Sequence, residues 1–226
     1  MYKSIIIVMT LLVSVPAVKA QSKNLSDFSR LSSSGNVSVT LKKGTPKAEY
    51  RIIKGDEDGL TIEVRGSELV VKTDSGYKFW KNNQTKAEVT VYYNRLEGVD
   101  CSAGSRVEGE EVIASARFEV EASSGAACSL KIETEDLTAD VSSGADLTLA
   151  GKCDSGVFDA SSGGSIEAYG LATRISNADV SSGARITINV SKELKADASS
   201  GGSIRYKGNP ERTDLHSSVA GSIKSY

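Results

Sequence analysis

The sequence predicts an all-β fold, a parallel β-helix with coils of about 20 residues. Three observations predict it. A Ser-Ser-Gly or similar triplet returns with its glycine at Gly104, Gly125, Gly144, Gly163, Gly183, Gly201 and, in altered form, Gly221, at intervals of 21, 19, 19, 20, 18 and 20 residues. Apolar residues alternate with period two on both sides of each triplet, the pattern of strand, turn and strand with one face buried. Apolar spacing of helical period is not sustained anywhere beyond the first twenty residues.

Taken in chain order, residues 1–20 read as a secretory signal peptide. Lys3 supplies a basic start, "IIIVMTLLVSVPAV" an apolar stretch, and Val18-Lys19-Ala20 small residues at the positions that precede a cut before Gln21. The apolar run is short for a membrane span. The mature chain is therefore expected to be exported, to the periplasm, the outer surface or the medium. Residues 21–226 are expected to form a single domain.

Residues 25–96 carry the triplet only as "SSSGN", Ser32 to Asn36, yet alternate as strands in "NVSVTL", "AEYRII", "LTIEV", "ELVVKT" and "AEVTVYY". They are expected to be irregular opening coils or a β cap that covers the first exposed strand edge. Residues 97–226 are the regular repeats. Three residues after each glycine stand Val107, Cys128, Leu147, Ile166, Ile186 and Ile204; three before it stand Cys101, Ala122, Val141, Ala160, Val180 and Ala198. These columns are the expected core. Glycine supplies the positive φ of a tight corner, and the paired serines can bond the corner backbone. Three short strands per coil, stacked at about 4.8 Å, predict roughly ten coils and a rod on the order of 50 Å long.

Composition narrows the function. Net charge is −2 with acids and bases interspersed, which gives no basic stripe for nucleic acid. The chain is rich in serine (34 residues) and glycine (21), but the regular alternation beside each triplet argues against a disordered linker. Cys101, Cys128 and Cys153 are an odd number without zinc spacing, so they read as small buried thiols, with at most one internal bridge.

The order of "DFSRLSSSGNVSVTLKKGTPKAEYRI", "DGLTIEV", "GSELVVKT", "AEVTVYYNRLEGVDCSAGSRV" and the Ser-Ser-Gly repeats resembles the auto-transporter adhesin family with a head GIN domain, over nearly all of Leu25 to Tyr206. The resemblance implies an exported protein of Gram-negative bacteria built as a right-handed parallel β-helix. It brings no catalytic motif. The chain contains no translocator barrel, so self-transport is not implied.

Two candidate sites stand out. Four residues before each glycine lie Asp100, Glu121, Asp140, Asp159, Asp179 and Asp197. If stacked, neighbouring carboxylates repel by roughly 1 kcal/mol per pair in water, which calls for an offset. Cation or glycan binding is one reading; acceptance of bonds from each corner's own serines and amides is the other. The second site is "GYKFWKNN", where Tyr77, Phe79 and Trp80 sit among lysines and asparagines. That mixture suits stacking on sugar or anchoring a partner, or plugging the solenoid end. His216, the single histidine, has Asp214 and Ser217 nearby, but adjacent strand positions face opposite ways and no nucleophile elbow surrounds them.

The expected function is a non-enzymatic adhesin-like or scaffold module with no catalytic residue, metal or cofactor, whose partner is a glycan or surface protein. The alternative is a carbohydrate-active β-helix enzyme or glycan-binding protein, which would gather Asp with Arg or Lys in one groove with perturbed protonation. The last coil, "SSVAGSIKSY", has no helix to cover it, so its edge is expected to pair with another copy.

Overall fold

The computed structural model describes residues 21–74, 84–218 and 220–226. Tyr77, Phe79 and Trp80 lie outside the described residues. The described residues are 72% strand, and the chain coils into a β-solenoid of about 7 turns with ~19-residue coils. At about 4.8 Å per strand, seven turns make a rod of about 35 Å. This corrects the expectation of ten coils, and the reason lies in the first third, where several strands lie beside the stack instead of extending it.

The strands of this third are β1 (Gln21–Asn24), β2 (Arg30–Ser34), β3 (Val37–Lys43), β4 (Lys47–Lys54), β5 (Leu60–Arg65), β6 (Glu68–Thr73) and β7 (Lys86–Tyr93), of which β1, β4 and β5 lie beside the stack. β2 pairs in parallel with β6, and β3 with β7, so the chain's first coil stacks on its second. β8 (Gly98–Ser102) then pairs on the free side of β2, and β9 (Arg106–Ala122) on the free side of β3. The first coil is thus held between the second and the third. Beyond the second coil, β4 runs antiparallel to β7, β1 antiparallel to β4, and β5 antiparallel to β6. Antiparallel strands on an outer edge use its backbone groups and stop parallel stacking there.

The regular coils follow as β9, β10 (Ala127–Val141), β11 (Asp146–Ala160), β12 (Ser165–Val180) and β13 (Arg185–Ala198). Each is one strand of 14 to 17 residues, not three short ones, because the ladder bends without breaking at the other corners. Two consecutive exposed residues mark such a bend, as at Glu135-Asp136 in β10. The last coil comprises β14 (Ser203–Lys207), β15 (Arg212–Ser217) and β16 (Ser222–Ser225).

In the regular coils β9 to β13 only the Ser-Ser-Gly corner interrupts the strand among the described residues. Ala126 N–H donates to Ser123 O at 3.1 Å, with Ser124 at φ 52° and Gly125 at φ 71°. Two central residues with positive φ make a type I′ turn. The turn therefore places a non-glycine residue in the left-handed region as well as the expected glycine: Ala103, Ser124, Ser143, Ser162, Ser182 and Ser200. The ladder continues through the corner, since Gly125 N–H donates to Ser143 O one coil on at 3.1 Å. A Cβ on Gly144 would meet nothing within 4 Å, so its φ of 69° is what requires glycine.

The interior is a set of stacked apolar columns. Val89, Val39, Val107, Cys128, Leu147, Ile166, Ile186 and Ile204 follow one another in register, all buried. Cys101, Ala122, Val141, Ala160, Val180 and Ala198 form the smaller column at the corner, where the walls approach. All three cysteines are buried free thiols.

Candidate functional site: an acidic face along the solenoid

Alternation fixes which residues leave the core. Along the sheet before each Ser-Ser-Gly corner, burying Ala139 and Val141 turns Asp140 outward, and the same parity holds in every regular coil. The register then stacks Asp100, Glu121, Asp140, Asp159, Asp179 and Asp197 on successive coils. The structure brings all six predicted acids together, with no intervening residue of another kind. Two residues on, Ser102, Ser123, Ser142, Ser161, Ser181 and Ser199 run beside them, and both rows line a groove of about 670 Å³.

The ends of the column were not foreseen. Arg30 lies beside Ser32, which occupies the rung before Asp100. Its guanidinium donates to both Asp100 oxygens at 3.3 Å and to Glu119 Oε2 at 2.5 Å. At the other end His216 occupies the rung after Asp197. His216 Nε2 lies 2.9 Å from Asp214 Oδ1, and both side chains are exposed. Ser217 pairs with Ala198 of the inward column, so no Ser-His-Asp arrangement forms.

The carboxylates feel burial and one another. Burial first, then the charges of Asp100, Glu119 and Asp140, push the Glu121 carboxyl above its ordinary value, with Arg30 opposing. Burial, then Glu119, raises Asp140; burial, then Asp140 and Asp179, raises Asp159. The offset expected from the corner serines is not there. Among the described residues, Asp140, Asp159, Asp179 and Asp197 accept no hydrogen bond from the protein, and the one corner serine hydroxyl that donates, that of Ser105, goes to Ser33 O at 3.0 Å and not to a carboxylate. Nor does any group of three or more His, Cys, Asp or Glu converge to hold a metal ion among those residues.

A second corner of the same coils shows that like-charge stacking is not forced by the fold. There, opposite charges meet across neighbouring coils: Arg117 with Asp136 at 3.7 Å, Arg174 with Asp154 at 3.4 Å, Arg212 with Glu193 at 2.8 Å. Such exposed pairs contribute little each, yet they contrast with the uniform acidic ladder.

Fold and face together define a β-solenoid that displays ladders of polar side chains on its outer sheets. The chain belongs to the family described as "Putative auto-transporter adhesin, head GIN domain", whose model matches residues 27–210. Its fold is similar to that of a putative adhesin from Bacteroides fragilis NCTC 9343, at 20% identity and TM-score 0.81, covering 94% of this chain and 98% of that one. A putative adhesin from Parabacteroides merdae ATCC 43184 is similar at 18% identity and TM-score 0.72, covering 92% and 95%. A protein from Parabacteroides distasonis ATCC 8503 described as a putative lipid binding protein is similar at 19% identity and TM-score 0.67, covering 92% and 96%. At these identities the likeness establishes the fold. No curated protein matches the chain.

Proposed function

We propose that this chain is a non-enzymatic, exported binding module that holds a positively charged partner along its acidic face. The observation that carries the reading is the run of six carboxylates in direct register, of which Asp140, Asp159, Asp179 and Asp197 have no partner within the described protein. Stacked like charges cost stability, and the chain pairs opposite charges at its other corner. An external cation-bearing surface would recover that cost. The serine row beside the acids adds donors and acceptors for a polar partner.

Catalysis of the acid–base kind divides two carboxyls into unlike roles by giving them unlike surroundings. Here Glu121, Asp140 and Asp159 are all raised, each first by burial. That repetition favours a multivalent surface over a glycosidase pair.

Octalysine binding to residues 21–226 tests the reading. The wild-type chain should bind with steep salt dependence. Asp140→Asn/Asp159→Asn/Asp179→Asn should weaken binding by at least about ten-fold, about 1.4 kcal/mol, whereas Asp136→Asn/Glu193→Asn should not. Equal loss in both variants, or none in the first, overturns it.

A further inference from the structure

We infer that the partner of the acidic face is the basic face of a second copy of this chain, so that copies join side-to-side in a homotypic contact; this rests on the binding role proposed for the acidic face. The basic face is the sheet that follows the Ser-Ser-Gly corner, in its last three coils. Alternation turns Arg185, Arg205, Lys207 and Lys224 outward there, while Ile186, Ile204 and Tyr206 face the core. Among the described residues none of these four cations makes an ion pair. The nearby acid on this sheet, Glu167, is occupied by the backbone N–H of Tyr169 at 3.3 Å.

Two tyrosines give this face an apolar element. Tyr226 is 89% exposed and its ring lies 5.8 Å from that of Tyr169, over which Lys207 Nζ sits at 5.4 Å. Exposed aromatics beside cations are the composition of contact surfaces.

Charge complementarity within the chain commits the acidic face to a second copy. Arg205 and Lys224 are register partners on successive coils, just as Asp159 and Asp179 are. Two copies of one solenoid share one coil repeat, so Arg205 and Lys224 laid along the acidic ladder meet two successive carboxylates. The chain thus carries both complementary ladders itself, at one strand spacing. The two faces lie on opposite sides of the same corner in one copy, since β10 ends at Val141, β11 begins at Asp146, and the turn closed by Ala145 N–H on Ser142 O lies between them. They therefore cannot pair within a molecule. A contact between unlike faces is heterologous and leaves each copy with one face free to continue the assembly.

Sedimentation velocity on residues 21–226 tests this. At about 20 mM salt the mean mass should rise with concentration, and at about 500 mM salt it should fall to the monomer. Arg205→Glu/Lys224→Glu reverses the two in-register cations of the basic face; Asp140→Asn/Asp159→Asn/Asp179→Asn neutralises the middle of the acidic one. Each alone should remain monomeric, and an equimolar mixture should form a discrete one-to-one complex, since each variant supplies the face the other has lost. Circular dichroism of both variants should show the wild-type strand signal. A wild-type monomer at low salt, assembly unchanged in either variant, or a mixture that stays monomeric overturns the inference. If the monomeric wild type still binds octalysine, the homotypic partner falls and the acidic binding face stands; if it binds neither, both fall.

Discussion

Asp140 and Asp159 occupy the same position on adjacent coils, directly in register, and neither accepts a hydrogen bond among the described residues. Their proton affinity follows from that placement. Both carboxyls titrate above the ordinary value in the folded chain, through burial first, with Glu119 adding at Asp140, and Asp140 and Asp179 adding at Asp159. A carboxyl raised by folding binds its proton more tightly in the folded state. Its contribution to stability is therefore unfavourable at neutral pH and becomes less so as pH falls through the folded value. Asp140→Asn/Asp159→Asn removes three neighbour repulsions, Glu121–Asp140, Asp140–Asp159 and Asp159–Asp179, and should be more stable than wild type at pH 7 by about 1–3 kcal/mol, at roughly 1 kcal/mol or less per pair in water. That advantage should shrink on acidification towards the carboxylate range. Urea midpoints for both chains at pH 7 and in acid check this; an advantage that grows in acid refutes it.

Arg30 is the counter-charge at one end of the ladder, and Gly98 makes room for it. A Cβ on Gly98 would lie 2.9 Å from Arg30 Cζ and Nη1. The guanidinium is a flexible end, so Gly98→Ala should leave the fold intact while displacing the group from Asp100 and Glu119. Both Gly98→Ala and Arg30→Ala should cost about 1 kcal/mol, the scale of a partly exposed ion pair. Combining them should cost little more than either alone. A double-mutant cycle with additive losses would show that Arg30 does not act through this pocket.

The acidic column was legible because each acid holds a fixed offset from a glycine whose φ the corner dictates. The same rule hid His216. It lies five residues before Gly221, not four, and only the pairing of Asp197 with His216 reveals that it completes the ladder. Arg30 left no local signal, since it meets Asp100 across 70 residues through a coil inserted out of chain order. Alternation in β2, β3, β6 and β7 predicted strands but not neighbours, because period two specifies which face is buried and says nothing of which edge meets which.

Corner strain gives a third prediction. Ser143 holds φ 53° and Gly144 φ 69°. The left-handed region costs an ordinary L-residue about 1–2 kcal/mol, and asparagine enters it more readily than most. Ser143→Asn should therefore raise stability by about 0.5–1 kcal/mol, and Gly144→Ala should lower it by about 1–2 kcal/mol although its methyl meets nothing within 4 Å. Urea denaturation distinguishes this from a packing effect. A neutral Gly144→Ala would show that the corner can adopt another turn.

The insertion of the first coil between the second and the third sets how the amino-terminal region exchanges its amide hydrogens. β2 and β3 are bonded on both edges, and Leu31, Val39 and Leu41 are buried within the common core. β15, in contrast, pairs with β13 on one edge, and all six of its residues are exposed. Protection follows the free energy of opening, which is low where few apolar contacts are lost. Amides of β3 should therefore exchange as slowly as those of β10 and β11, and β15 much faster than any of them. In the assembled state at low salt, the sheet bearing Arg205 and Lys224 should gain protection while β3 should not change. If β3 opens as readily as β15, the first coil is an independent flap, and the shared core seen at Val39 and Val107 does not hold it in place.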